Sequence, residues 1–278
     1  LGGDGAVLAR DFKVSSAKWS RGECVVTGGL LWAVNSLLVG DNASCDGILT
    51  VDQGEVRSAL VRIASASGSK GGLVLSNGML RSSGYFYVGH TGTGTLEVVG
   101  GGLAVSNEFS SGLASRSLGL VRQAGGEVVS TNHVKIGDWG GEGLYELSGG
   151  TLTCTKGSLL VGNGNSSTGR LSVTGGRVVS MNNLTVANNG QGLTQGAVLL
   201  SGGEVISSNT LTLASSTNTT GFFMMTGGDL NASALTVGGA GMGYFTLSNG
   251  TALSRGSLSL GTSLTGTGSV TVAGGLLT

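Results

Sequence analysis

Residues 149–176 read GGTLTCTKGSLLVGNGNSSTGRLSVTGG, bounded by a double glycine at each end and carrying Lys156 and Arg170 as the only charges. Three short runs inside it, TLTC, SLLVG and RLSVT, alternate apolar and polar residues with the two-residue period of a strand. The segment GRLSVTGG (169–176) serves as a template: glycine, any residue, apolar, any, apolar, small polar, then a glycine pair. Its leading glycine recurs at Gly22, Gly47, Gly71, Gly94, Gly119, Gly143, Gly169, Gly196, Gly221, Gly243 and Gly268. Gly22 to Gly268 span 246 residues in ten intervals, a mean period of 24.6. A fixed period of this length is the signature of a stacked repeat.

Two further columns emerge from the alignment. After the middle run only glycine or alanine occurs, from Gly40 and Ala64 through Gly162 to Gly261. Before that run stand Asn35, Ala59, Gly84, Asn107, Asn132, Gly157, Asn182, Asn209, Ser233 and Gly256. Eight of these ten are Asn or Gly, types that accept a left-handed backbone, so the spacing predicts a left-handed corner there. Nearly all length variation lies between the Gly/Ala column and the next template glycine, where the chain inserts 4 to 8 residues. Each coil thus has a constant frame of three strands and two corners, with a third, variable corner such as NGNSST.

Composition agrees. Glycine is 55 of 278 residues, proline is absent, and charged residues are 11% where about 25% is usual. The absence of proline suits a chain whose backbone donors are nearly all used in ladders. Lysine plus arginine balance aspartate plus glutamate at 15 each, so no basic footprint points to nucleic acid. No apolar run reaches the roughly 18 residues of a transmembrane segment. Cys24, Cys45 and Cys154 are odd in number and lack metal-ligand spacing, so they give no disulfide framework.

A coil of about 24 residues buries too few apolar side chains to fold alone, and stacking supplies what it lacks. Each strand would pair with its equivalent one coil away, about 4.8 Å distant. The third strands would then pile Leu49, Leu73, Leu96, Val121, Tyr145, Leu171, Val198, Phe223, Phe245 and Val270 into one column, and the second strands Leu37, Val61, Phe86, Phe109, Val134, Leu159, Leu184, Leu211, Leu235 and Leu258 into another. The expected fold is all-β: a single-stranded parallel β-helix, or β-solenoid, of about 11 coils of 22–27 residues with three short strands per coil. Residues 22–278 form the repeat domain, and residues 1–21, which break the pattern, an N-terminal cap or arm.

LLVGNGNSSTGRLSVTGGRVVS (159–180) and its copies resemble the repeat of type V-secreted and PEP-CTERM-sorted bacterial surface proteins, over about residues 22–278. That resemblance implies a right-handed β-helical passenger or stalk outside the cell or on its surface, and it brings no catalytic residues with it.

Candidate chemistry is sparse. Asp41, Asp46 and Asp52, near Arg57, form the densest acidic group and are candidates for a cation or sugar contact. His90 and the pair Asp138-Trp139 fall in the variable corner, where an exposed indole stacks well on a sugar ring. Asn42, Asn165 and Asn218 head glycosylation sequons in the variable loops. Arg177 and Glu204 share one slot on adjacent coils and predict a surface ion pair. Ser58, Ser82, Ser130, Ser180, Ser207 and Ser254 align near the first corner as a hydrogen-bonded ladder. No cofactor and no catalytic constellation is expected. After Arg255 there is no charge, so the C-terminal end, Leu276, Leu277 and Thr278, reads as an uncapped assembly face. The function expected is that of a non-enzymatic structural protein, an extracellular or cell-surface scaffold associating end to end with its own copies into a fibre or stalk. The alternative is an adhesin that binds glycans or host surfaces through the variable corner.

Overall fold

A computed structural model describes residues 2–278. Its twenty-eight strands form two parallel sheets, and no helix occurs among the described residues. The chain is a β-solenoid of about eleven turns. The second sheet holds eleven strands, one per turn, from Arg21–Val26 to Thr267–Val272. All eleven template glycines stand opposite one another there, from Gly22↔Gly47 to Gly243↔Gly268. Loop insertions therefore do not disturb the register; each is absorbed within its own corner.

The repeated glycine has a steric cause. A Cβ on Gly169 would come well under 3.0 Å from the Ile136 carbonyl oxygen of the preceding turn and from the Gly162 nitrogen of its own. Gly162, at φ +73°, turns the chain out of the strand Leu159–Asn163 and into the variable corner. The frame closes only because the strand it meets lacks a side chain there.

Both predicted columns form. Leu37 through Leu258 are Cα partners in sequence along the first sheet, and Leu49 through Val270 along the second. Aromatic residues stack within them: Phe86 on Phe109 at 5.5 Å between ring centres, and Phe223 on Phe245 at 5.6 Å. Tyr145 lies fully buried in an apolar column. Its hydroxyl donates to Gln123 Oε1, whose amide in turn donates to the Thr151 carbonyl at 2.9 Å, so the one phenol in the stack is satisfied internally.

The first corner differs from expectation. None of the ten residues from Asn35 to Gly256 has a positive φ. In five of those turns a single strand runs through the position, as in Leu30–Val39 and Glu204–Leu213, with register shifts at the bend in Leu30–Val39, Glu55–Ile63 and Glu204–Leu213. Strands one and two therefore belong to one folded sheet of seventeen strands. The bend is braced from inside by the serine column. Ser82 donates to the Tyr85 carbonyl at 3.0 Å, Ser130 to His133 at 3.0 Å and Ser180 to Asn183 at 2.8 Å. These hydroxyls grip backbone across the bend instead of forming a chain among themselves. Ser130 also reaches the Asn107 carbonyl of the turn before, at 2.9 Å. Replacing Ser130 by alanine should cost about 1 kcal/mol in chemical denaturation and leave the circular dichroism spectrum unchanged.

Residues 6–14 continue the architecture although their sequence departs from the pattern. The strand Ala6–Val14 pairs in parallel with Leu30–Val39 and forms the first rung of the bent sheet. At the other end Leu276–Leu277 pairs with Thr251 and Ala252, and Leu258, Leu260 and Val272 are exposed where their counterparts Leu235, Val237 and Leu247 are buried.

Candidate functional site

The variable corner starts where the second strand of each turn leaves through the Gly/Ala column. The next residue in successive turns is Asp41, Ser65, His90, Leu113, Asp138, Asn163, Asn188 and Ser215. Four of these form a continuous polar ladder. Ser215 donates to Asn188 Oδ1 at 2.7 Å, Asn188 to Asn163 Oδ1 at 2.8 Å, and Asn163 to Asp138 Oδ1 at 2.7 Å.

Asp138 ends that ladder and is fully buried. Lys135 Nζ lies 3.1 Å from its second oxygen and 2.9 Å from Glu108 Oε2, with both of those side chains about 15% exposed or less. Burial pushes the Asp138 carboxyl above its usual range, against the pull of Lys135 and Asn163. Burial works against the Lys135 ammonium, but Asp138 and Glu108 outweigh it and hold the amine above its ordinary value. Asp138 is therefore not a surface ligand group, as its place in a loop suggested; it is the anchor of an internal network. Lys135 and Glu108 were not candidates from sequence. The available signal was Asp138, Asn163 and Asn188 following the Gly/Ala column in three consecutive turns.

With Asp138 turned inward, Trp139 turns outward. Its φ is +46° and the residue is 59% exposed. Its amide is held by Asp138 Oδ1 and by the Asn163 carbonyl, both at 3.1 Å. The indole lines a shallow depression of about 560 Å³ together with Arg116, Glu142, Asn165 and Ser166. This brings the candidate Trp139 and the sequon residue Asn165 into one surface feature, with Arg116 from the preceding turn and Glu142 from Trp139's own.

His90 is not part of that feature. It lies two turns away, half-buried, with its ring 5.4 Å from Tyr87 and its Nδ1 buried without a hydrogen-bond partner among the described residues. Burial, and secondarily Arg62, lower its affinity for a proton. The acidic group of the second turn is also dispersed. Asp41 takes Lys13 at 2.7 Å and the Ser65 hydroxyl at 2.8 Å, Asp46 sits in the second sheet opposite Arg21 and Lys70, and Asp52 accepts from Asn77 at 3.0 Å. Arg57 pairs with Glu55 instead. Arg177 and Glu204 do form the expected surface pair, at 2.8 Å.

The remaining sequons lie in exposed loops: Asn42 donates to the Ser16 carbonyl at 3.1 Å, and Asn218 holds a left-handed φ of +58°. Among the described residues no group of three or more His, Cys, Asp or Glu side chains is placed to hold a metal ion, and no helix is long and apolar enough to cross a membrane. The three cysteines are free thiols; Cys45 and Cys154 are buried and donate to the carbonyls of Ser15 and Asn132.

No protein-family model, no curated protein and no solved structure matches the chain.

Proposed function

We propose that the protein is a non-enzymatic structural scaffold, outside the cell or on its surface, whose solenoid associates end to end with further copies. The observation that supports a scaffold is the unbroken register of eleven turns, with insertions confined to one corner. The one pair of carboxylates brought together at a buried site among the described residues, Glu108 and Asp138, is bound to Lys135, and Asp41 and Glu204 are held in ion pairs with Lys13 and Arg177. End-to-end association is supported by the parallel pairing of equivalent strands from turn to turn, from Leu30–Val39 to Leu258–Leu260, which a rung of a further copy continues at the same spacing. An unpaired parallel edge accepts another rung of the same spacing. Sedimentation of the full chain should show concentration-dependent mass growth; a single monomeric species across micromolar to millimolar concentrations contradicts it.

A second reading, recognition of glycans or host surfaces through the variable corner, is favoured by Trp139 in its depression with Arg116 and Glu142. Binding to an immobilised glycan that disappears in Trp139→Ala would support it.

A further inference from the structure

We propose that a groove along the bend of the first sheet, on a different face from the variable corner, binds a carboxylate-bearing carbohydrate. In the outward slot three residues after the glycine that ends each preceding turn, Trp32, Arg57, Arg81 and Ala104 are Cα partners on four successive turns. Three large side chains thus stand in a row, while the bend beside them carries small residues, among them Ser83 and Ser106. The resulting cavity is about 570 Å³, within the range of small-ligand sites.

The groups in it suit an acidic sugar. Trp32 is 43% exposed, and a broad indole face packs well against the C–H-rich face of a pyranose. Arg57 and Arg81 are oriented by one carboxylate between them. Glu55 Oε2 accepts from Arg57 Nη2 at 2.8 Å, and Glu55 Oε1 accepts from Arg81 Nε at 3.0 Å. The Arg57 contact, followed by that of Arg81, holds the Glu55 carboxyl below its ordinary range, so the brace stays ionised at neutral pH. Two guanidiniums against one carboxylate leave a net positive charge, and among the described residues Arg81 pairs only through Nε, with Glu55. Guanidinium forks bind carboxylates with directed, charge-assisted hydrogen bonds. A pair of arginines without lysines is too little charge for a polyphosphate backbone, which is held by many contacts. Because Trp32, Arg57 and Arg81 lie on consecutive rungs, the groove runs along the stack and suits a linear oligomer.

The test is calorimetric titration of the full chain with a galacturonate oligomer, a neutral galactose oligomer of the same length, and a poly-glutamate peptide. Binding of the galacturonate oligomer is expected, at least tenfold stronger than the neutral one and weakening as salt is raised. Trp32→Ala and Arg81→Gln should each weaken it tenfold or more, Trp32→Phe should retain most of it, and Phe222→Ala, an exposed aromatic on the second sheet, should leave it unchanged. All three side chains are exposed, and thermal unfolding curves matching the parent protein verify that the variants fold. The proposal is overturned if the parent protein does not bind the galacturonate oligomer, if Trp32→Ala binds it equally, or if poly-glutamate binds more tightly. None of these outcomes depends on whether the protein assembles end to end.

Discussion

Replacing Lys135 by methionine is expected to remove about 3–5 kcal/mol of stability, the cost of leaving a buried charge without its partner. Among the described residues the lysine is the only cation touching Asp138, which is fully buried, and it also holds Glu108. Without it, two carboxylates share a poorly solvated site. The sign of the pH dependence follows. Asp138 already binds its proton more tightly in the folded chain than its usual value of 3.8, because burial disfavours its charge. Losing Lys135 raises that affinity further, so the penalty is full at neutral pH and shrinks as pH falls and the folded-state carboxyl takes up its proton. The double variant Lys135→Met/Asp138→Asn should recover much of the loss, since the amide can still accept from Asn163. Urea denaturation at pH 7 and pH 4 measures all three; a single variant within 1 kcal/mol of the parent would mean that the network is not sealed from water.

The second large effect is expected at Gly169. An alanine there must place its Cβ against two backbone atoms, the Ile136 oxygen and the Gly162 nitrogen, and no side-chain rotation relieves the clash. The turn then has to open at its variable corner and release part of the ladder between Glu142–Leu147 and Thr168–Val173. A loss above about 4 kcal/mol, or failure to accumulate as folded protein, is the expected result. Gly68→Ala is the control. Gly68 has a left-handed φ of +71° but nothing within 4 Å of the added carbon, so only backbone strain of about 1–2 kcal/mol applies. If the two substitutions cost the same in denaturant titration, the backbone around Gly169 gives way to the added carbon and the close approach of neighbouring turns is not what requires glycine there.

Most of the frame was legible because it is a matter of counting. The eleven glycines and the two apolar columns follow from one template, and every predicted partner stands opposite its equivalent. The bend between the first two strands was not legible from its own residues. Asn and Gly tolerate left-handed backbone, but here nothing demands it: buried hydroxyls such as those of Ser82 and Ser130 satisfy the carbonyls that an extended bend leaves over. The turn type was decided by a neighbouring column.

The candidate sites show the same limit. Asp138 follows a glycine in a loop, the usual mark of an exposed acid, and its burial depends on Asn163 one turn later and Lys135 three residues earlier. Trp139 is exposed for the complementary reason, since the ladder fixes its neighbour inward. The residues around Trp32 carry no recognisable motif. Their row exists only through register, and the groove beside it only because the bend residues are small.

The scaffold reading is tested most directly by electron microscopy of the purified full chain at high concentration. Eleven rungs at about 4.8 Å make a rod roughly 50 Å long. Filaments one solenoid wide with an axial repeat near that length are the expected result. Isolated short rods with no longitudinal contacts at any concentration would contradict it.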